Sequence, residues 1–507
     1  MAGVSGVIKT DNSEDLESGV AWDLYCLLYG LQNRGQASTK IITQMKNPSN
    51  EVYFYDGGIK YTPLRNIRSE DFIYAEKKGN GIVREVFDNK TLLDLYGEAG
   101  IGGVSNENIY KSNSLPYRFK MIAVGKDGWI ENHLDIKEYL VQKDVPFKKE
   151  TSEVEAFSKL FHYHYRRYAS GKEAMKLCAT GGHSAPKIKG NYSALALTPK
   201  SIVAVCNGKP IGYLIRDSRV YFASESAGAW SISEEINASN FEENWVDLNP
   251  GDIVEIFRDG KTNNVGLDSY LYRDSPDKTR NYESFETDKK VCSFEWAYFA
   301  RPDSVIYNKE VGLVRKQIGK LLAPKVIKTI QEHGGDIDNC IVVPVLASGN
   351  WYAVGLCEET KMTFLPALYK NKYALKSFIL DYQEARTREV LMKHIPSVNL
   401  LKGKEPILTD DSIVRGTTMR VIVDLVRAKA KPNKVHVVAG FPEKRYACIN
   451  SPEGRKSLIA RDFPLEKIRE RIHADSLTYG EHQMWLDVLG KDYCYSCEFR
   501  KHENNEK

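Results

Sequence analysis

The stretch PILTDDSIVRGTTMRVIVDLVRAKA, residues 406–430, decides the fold of the second half of this chain. An apolar run ends in two adjacent acids, Asp410 and Asp411. A turn of small residues follows from Ser412 to Thr418, and a helical pattern begins there. Backbone N–H groups at such a turn and helix start face outward, with the Thr417 and Thr418 hydroxyls beside them, which makes a phosphate-binding site. Two carboxylates at the strand's carboxyl end suit ribose hydroxyls and a local magnesium ion, and open parallel sheets bind ligands at that end. A generic strand–turn–helix with acidic capping residues has the same outline, because short motifs carry real false-positive risk.

Around this stretch the chain alternates strand and helix. CIVVPVL (340–346), MTFLPAL (362–368), EPILTDD (405–411) and KVHVVAGF (434–441) are apolar strand runs. Helical segments such as 309–334 and 417–431 lie between them, which indicates a parallel α/β sheet. Upstream the rhythm changes. GVSGVI (3–8), KIITQM (40–45), EVYFYD (51–56), KMIAVG (120–125), ALALT (194–198), SIVAV (201–205) and RVYFASE (219–225) mix apolar with polar or small residues. Helical patterns at 18–35 and 153–169 sit among them, so an α+β layered domain with much antiparallel sheet is expected. The polar stretch 272–290 is the best linker, which sets domains of 1–275 and 276–507.

With 507 residues the chain is too long for one hydrophobic core. A net charge of +4, spread without blocks, gives no footprint for nucleic acid. No run approaches the roughly 20 apolar residues that span a bilayer, and the N-terminus has no basic region followed by an apolar core. A cytoplasmic protein without membrane or nucleic-acid partners is expected, its nine cysteines reduced or metal-bound rather than paired. CYSC (494–497) alone would be half a zinc site, a redox pair or nothing, and Cys292 and Cys448 alone would be small buried hydrophobes.

The nine-residue string DDSIVRGTT (410–418) closely resembles the phosphoribosyl-pyrophosphate signature of the glutamine phosphoribosylpyrophosphate amidotransferases, the first committed enzymes of purine synthesis. The resemblance extends through CSFEWAYFARPDSVIYNKEVGLVRKQIGKLLA (292–323), VVPVLASG (342–349), LYKNKYALKSFILDYQEAR (368–386) and RIHADSLTYGEHQMWLDVLG (471–490). It reaches the N-terminal half through GVSGV and GLQNRGQAS. It implies an N-terminal-nucleophile type α/β/β/α sandwich followed by a type I phosphoribosyltransferase parallel-sheet domain.

By this resemblance Asp410 and Asp411 hold the ribose and Mg2+, and Ser412, Arg415, Gly416, Thr417 and Thr418 form the 5′-phosphate loop. Ser348 and Gly349 belong to the pyrophosphate loop, and Lys370, Tyr373 and Lys376 to a loop that closes over substrate. Lys376 stands where the family has Arg, replacing a bidentate phosphate contact with a point charge. Ala347 stands where an acid is usual. Cys292, Cys448, Cys494 and Cys497 occupy the contexts of the ligands in the family's iron–sulfur branch. The resemblance implies a 4Fe–4S cluster, with a zinc site held by the same four thiolates as the alternative.

The family's N-terminal domain hydrolyses glutamine with an N-terminal cysteine whose thiol is served by the terminal amine. Here Ala2 stands in that place. Gly103 and Ser105 replace the His and Arg of the family's Gly-His-Val-Arg segment. Asp127 replaces the oxyanion-hole Asn, where its charge would repel a developing oxyanion. Thr151 replaces the Asp that holds the substrate amine. The resemblance therefore implies a transferase that makes 5-phosphoribosylamine from phosphoribosyl pyrophosphate and ammonia, free or from a separate glutaminase, with its own glutaminase lost. The alternative is a non-catalytic paralogue that binds phosphoribosyl pyrophosphate or nucleotide and regulates an active amidotransferase. A homo-oligomer inhibited by purine nucleotides is the family expectation.

Overall fold

The computed structural model describes residues 2–10, 19–46, 60–63, 72–182, 184–216, 218–230, 232, 245–258, 282–370, 394–448 and 457–499. The expected strand 51–56, the boundary between 275 and 276, and the loop residues Tyr373 and Lys376 lie outside them. The chain divides into two compact units. The first is Met1–Val291 with Ser304–Asn308, and the second is Cys292–Asp303 with Lys309–Lys507. The 292–323 segment is thus split: its first part belongs to the second unit, and five residues return to the first.

The first unit is an α/β/β/α sandwich. The strands used below are β1 (Ala2–Lys9), β2 (Ala99–Ser105) and β3 (Ile122–Ile130), and the helices are α1 (Val20–Gly30) and α2 (Glu153–Tyr168). One eight-stranded antiparallel sheet has β1 and β2 at its centre, and β3 lies in a six-stranded antiparallel sheet. Successive side chains of a strand point to opposite faces, and β1 uses both. Val4 and Ile8 pack between the sheets against Leu195, Ile202 and Val254, while Val7 turns outward to Leu24 and Leu28 of α1. Helix α2 covers the far face of the second sheet with Phe157, Leu160 and Phe161. Ser152 caps α2 by accepting from the Glu155 amide, which satisfies one of the orphan donors of its first turn.

The second unit is built on a parallel sheet with strands β4 (Cys340–Pro344), β5 (Glu405–Asp410), β6 (His436–Ala439) and β7 (Ser476–Tyr479) in that spatial order, and Thr363–Phe364 at the edge beside β4. The helices are α3 (Val311–Glu332), α4 (Asn350–Thr360) and α5 (Thr417–Ala430). All four of these strands are buried along their length, as expected when helices cover both faces. MTFLPAL, read as one buried strand, gives the two-residue edge strand Thr363–Phe364, both residues exposed, and then Leu368 at the start of a separate short strand. Pro366 removes a ladder donor and ends the pairing there, so the prediction of a full strand over 362–368 is corrected. Among the described residues no helix is long and apolar enough to cross a membrane.

Candidate functional site

The second unit's site grows from the end of β5. Its last residue, Asp410, accepts from Ser348 Oγ at 3.0 Å and from the Asp411 amide at 2.8 Å, while Ser412 Oγ donates to Asp411 Oδ1 at 2.5 Å. Ser348 arrives on the loop after β4, which contains a cis Leu346–Ala347 peptide and ends at Gly349, the residue before α4. Strand register brings β4 beside β5, with Pro344 opposite Thr409, so the two loops leave the sheet side by side. Gly416 then turns the chain into α5 with φ 76°, a left-handed conformation that favours glycine, and an added Cβ would stand 2.6 Å from Ile459. Gly416 carries no side chain to cap α5, and a helix start of this kind turns its first amides toward the loop end of the sheet.

Both carboxylates are buried, Asp410 9% and Asp411 5% exposed. Burial and then the neighbouring Asp411 charge push the Asp410 carboxyl well above its usual range. Asp411 is also raised by burial, against the opposing pull of Ser412, Ser348, Arg315 and Lys444. Two cations missed in the sequence thus back this pair. Arg315 on α3 is 2% exposed and donates to the Trp296 carbonyl at 2.7 Å and the Ala300 carbonyl at 2.9 Å. Lys444 lies over the Phe294 ring. Arg315 is one of several cations along α3, so the sequence gives no local clue to such a role. Arg415 and Thr418 lie in the same turn and helix start. Lys370 ends the short strand Leu368–Lys370.

The four predicted metal cysteines all lie in the second unit. Cys292 and Cys494 sit opposite each other as a parallel bridge, and Ser293 donates to the Cys494 carbonyl through its amide at 3.1 Å and its hydroxyl at 2.9 Å. The Cys497 carbonyl accepts from the Arg445 and Tyr446 amides, both at 3.0 Å, three and two residues before Cys448. Burial pushes the Cys497 thiol up to about 12, with Glu498, Cys448 and Cys494 adding to it and Lys444 opposing.

In the first unit Ala2 pairs with Ser105 across β1 and β2, and Gly103 pairs with Val4. Asp127 on β3 comes to the same place: the Ala2 amide donates to its Oδ1 at 3.4 Å. Fully buried Arg34 reaches Asp127 Oδ2 with Nη1 at 2.7 Å and Glu225 Oε1 with Nε. Glu225 also accepts from Asn33 Nδ2 at 2.8 Å and Ser304 Oγ at 2.7 Å, and Gly128 N donates to Asp127 at 2.7 Å. Burial raises the Asp127 carboxyl, but Arg34 and Lys209 outweigh it and hold the group below its usual value. Glu225 is the residue that sequence reasoning missed, for it lies 191 positions from Arg34. Thr151 is not tied to this group; its hydroxyl donates to the Lys148 carbonyl at 3.2 Å in the turn before α2.

No family model matches the chain. It is 31% identical to the amidophosphoribosyltransferase of Methanocaldococcus jannaschii, over 98% of this chain and 96% of that one. It is 30% identical to the amidophosphoribosyltransferase of Methanothermobacter thermautotrophicus, over 96% of this chain and 91% of the other. A solved structure of glutamine phosphoribosylpyrophosphate (PRPP) amidotransferase from B. subtilis, complexed with ADP and GMP, superposes with a TM-score of 0.72 at 24% identity. The superposition covers 98% of this chain and 96% of that one, so the two share a fold from end to end.

Proposed function

Since the chain belongs to the amidophosphoribosyltransferase family, we propose that it makes 5-phosphoribosylamine, in the first step of purine synthesis, from phosphoribosyl pyrophosphate and ammonia, with no glutaminase of its own. The observation that carries this reading is the Asp410–Asp411 pair, buried, bonded to Ser348 and placed beside the Gly416 turn that opens α5. Ribose hydroxyls donating to the two carboxylates would relieve the cost of their burial. The 5′-phosphate takes the amides of the Ser412–Thr418 turn and the Thr417 and Thr418 hydroxyls. Ser348 and Gly349 face the pyrophosphate, and Lys370, Tyr373 and Lys376 close over it.

Ammonia attacks C1 of the sugar: the C–N bond forms, the C–O bond to pyrophosphate breaks with its electron pair leaving on the pyrophosphate, and the new ammonium then loses a proton to solvent. The protein's part is to hold the sugar in line and to stabilise the departing polyanion. Asp410 and Asp411 suit Mg2+, a hard cation that would neutralise pyrophosphate charge when bound. Cys292, Cys448, Cys494 and Cys497 suit a 4Fe–4S cluster, structural or regulatory because each iron would be held by protein. The B. subtilis relative's ADP and GMP support purine nucleotides as inhibitors here, and the family supports a cytoplasmic homo-oligomer.

Loss of the glutaminase is favoured by Asp127, a carboxylate bonded to the Ala2 amide and paired with buried Arg34, where the resemblance puts a neutral oxyanion-hole Asn. The methyl group of Ala2 cannot attack an amide. The test is pyrophosphate release by purified protein given ammonia, glutamine or neither. Release with ammonia alone, rising with pH as free ammonia increases, is expected. Binding of phosphoribosyl pyrophosphate without release at alkaline pH would give the case to the regulatory paralogue, which Ala347 in the pyrophosphate loop favours.

A further inference from the structure

At the opposite end of the parallel sheet, four strands begin with polar residues: Cys340 on β4, Glu405 on β5, His436 on β6 and Ser476 on β7. Register explains their meeting. Cys340 lies opposite Glu405, and His436 lies opposite Ile407, two residues on from Glu405 and therefore on the same face of the sheet. All three side chains are buried, and the Cys340 sulfur, a Glu405 oxygen and a His436 nitrogen lie within 4.8 Å of one another. Glu405 to Asp410 is five residues of strand, roughly 16 Å, so this cluster stands apart from the substrate end.

We infer that Cys340, Glu405 and His436 form a binding site for one divalent metal ion of borderline softness, with zinc the best match, which joins the starts of the sheet's central strands. Donor type is the first reason, since one thiolate, one imidazole and one carboxylate are ligands that Zn2+ accepts at roughly 2.0–2.3 Å. Ligand atoms around one tetrahedral ion stand about 3.3–3.7 Å apart, and His436 Nε2 already lies 3.1 Å from Glu405 Oε2.

The surrounding groups are the second reason. Ser476 Oγ bonds His436 Nδ1 at 2.8 Å, which orients the ring and leaves Nε2 directed at the cluster, as ligating histidines are usually held. The Asp336 amide donates to Glu405 Oε2 at 2.9 Å. Gly335 borders the ligand nitrogen, where an added Cβ would come 3.1 Å from Nε2.

Charge is the third reason. A thiolate, a carboxylate and a neutral imidazole balance a divalent ion, so the loaded site is neutral and its burial inexpensive. On loading, the Cys340 thiol proton leaves to buffer, the imidazole proton of His436 sits on Nδ1 facing Ser476, and water completes the tetrahedron. A Glu–His hydrogen bond alone would account for two of the residues but not for the Cys340 sulfur within 4.8 Å of both. Lys434 and Asp475 also act on His436, with opposite signs.

The test uses the full-length protein, as purified and as Cys494→Ser, exposed to Zn2+ and then desalted. One tightly held zinc per chain is expected in both, with at least a tenfold loss in Cys340→Ser and in His436→Gln, and a rise of several degrees in unfolding midpoint on zinc addition that Cys340→Ser lacks. Should those variants fail to fold, X-ray absorption of zinc-loaded Cys494→Ser protein reads the ligands directly, one sulfur with nitrogen and oxygen neighbours. Absence of bound zinc, zinc retained undiminished in soluble Cys340→Ser, or a sulfur-free or all-sulfur shell would each overturn the site. These outcomes do not depend on turnover of phosphoribosyl pyrophosphate.

Discussion

Each unit carries a buried acidic pair close to a place where family chemistry is expected, and the two pairs are handled in opposite ways. In the first unit Asp127 and Glu225 are joined by a buried guanidinium of the chain itself, and Asp127 is held below its usual range. In the second, Asp410 and Asp411 are held by hydroxyls and amides, the cations Arg315 and Lys444 only oppose burial, and both carboxyls are raised. A carboxylate pair whose charge is met from within has nothing left to offer a ligand. One whose charge is only partly met gains most when donors or cations come from outside.

The largest effect should come from removing that second pair. Asp410→Asn with Asp411→Asn would forfeit charge-assisted bonds of about 1.5–3 kcal/mol each, so ammonia-dependent pyrophosphate release should fall by roughly 10²–10⁴-fold. Unchanged affinity for phosphoribosyl pyrophosphate by calorimetry would show the comparison drawn between the wrong acids.

Next is Arg34→Met, which leaves Asp127 and Glu225 facing each other without their cation. Breaking a buried pair of this kind costs about 3–5 kcal/mol, and denaturant unfolding should show it. A neutral result would mean that the ion pair contributes little to the first unit's stability.

The pH signs of the two regions should also differ. Asp410 and Asp411 are raised, so without ligand their contribution is fully present below the unfolded value of about 3.9 and is lost as pH rises through the folded values. Mg2+, which needs the ionised pair, should therefore raise the unfolding midpoint more at pH 8 than at pH 5. Asp127 is lowered, so its contribution is present above about 3.9 and is lost as pH falls through the folded value. Equal Mg2+ stabilisation at both pH values would break the contrast.

The smallest expected effect is none. Ala2→Cys alone should give no glutamine hydrolysis, because Asp127 and Arg34 still occupy the neighbouring space and Ser105 offers no clamp for a carboxylate. Appreciable ammonia release from glutamine by that variant would show that Ala2 alone had removed the glutaminase.

Legibility followed locality. The turn from Asp410 to Thr418 is contiguous, its strand and helix each have a clear period, and both are visible in the chain alone. Strand β2 is not, because AGIGGVS carries three glycines and reads as a weak strand. Its place at the sheet centre depends on that smallness, since a Cβ on Gly100 or Gly102 would stand 2.8 Å from Leu24 or Leu28 of α1. Asp127 stands out as a substituted position, but its partner does not.

By itself, then, the sequence determined the parallel-sheet unit, the phosphate turn and the acids at its mouth, and the family to which they belong. It also marked Ala2 as a residue with no nucleophile. Only the tertiary structure decided which distant side chains meet. Arg34 meets Asp127 across 93 positions and Glu225 across 191, and Cys340, Glu405 and His436 meet because register puts the starts of three parallel strands side by side on one face. A turn that binds phosphate is encoded by neighbours along the chain, whose backbone geometry is local. A buried ion pair or metal site is encoded by the register between distant strands, which hydrogen bonding across sheets fixes after the chain has folded.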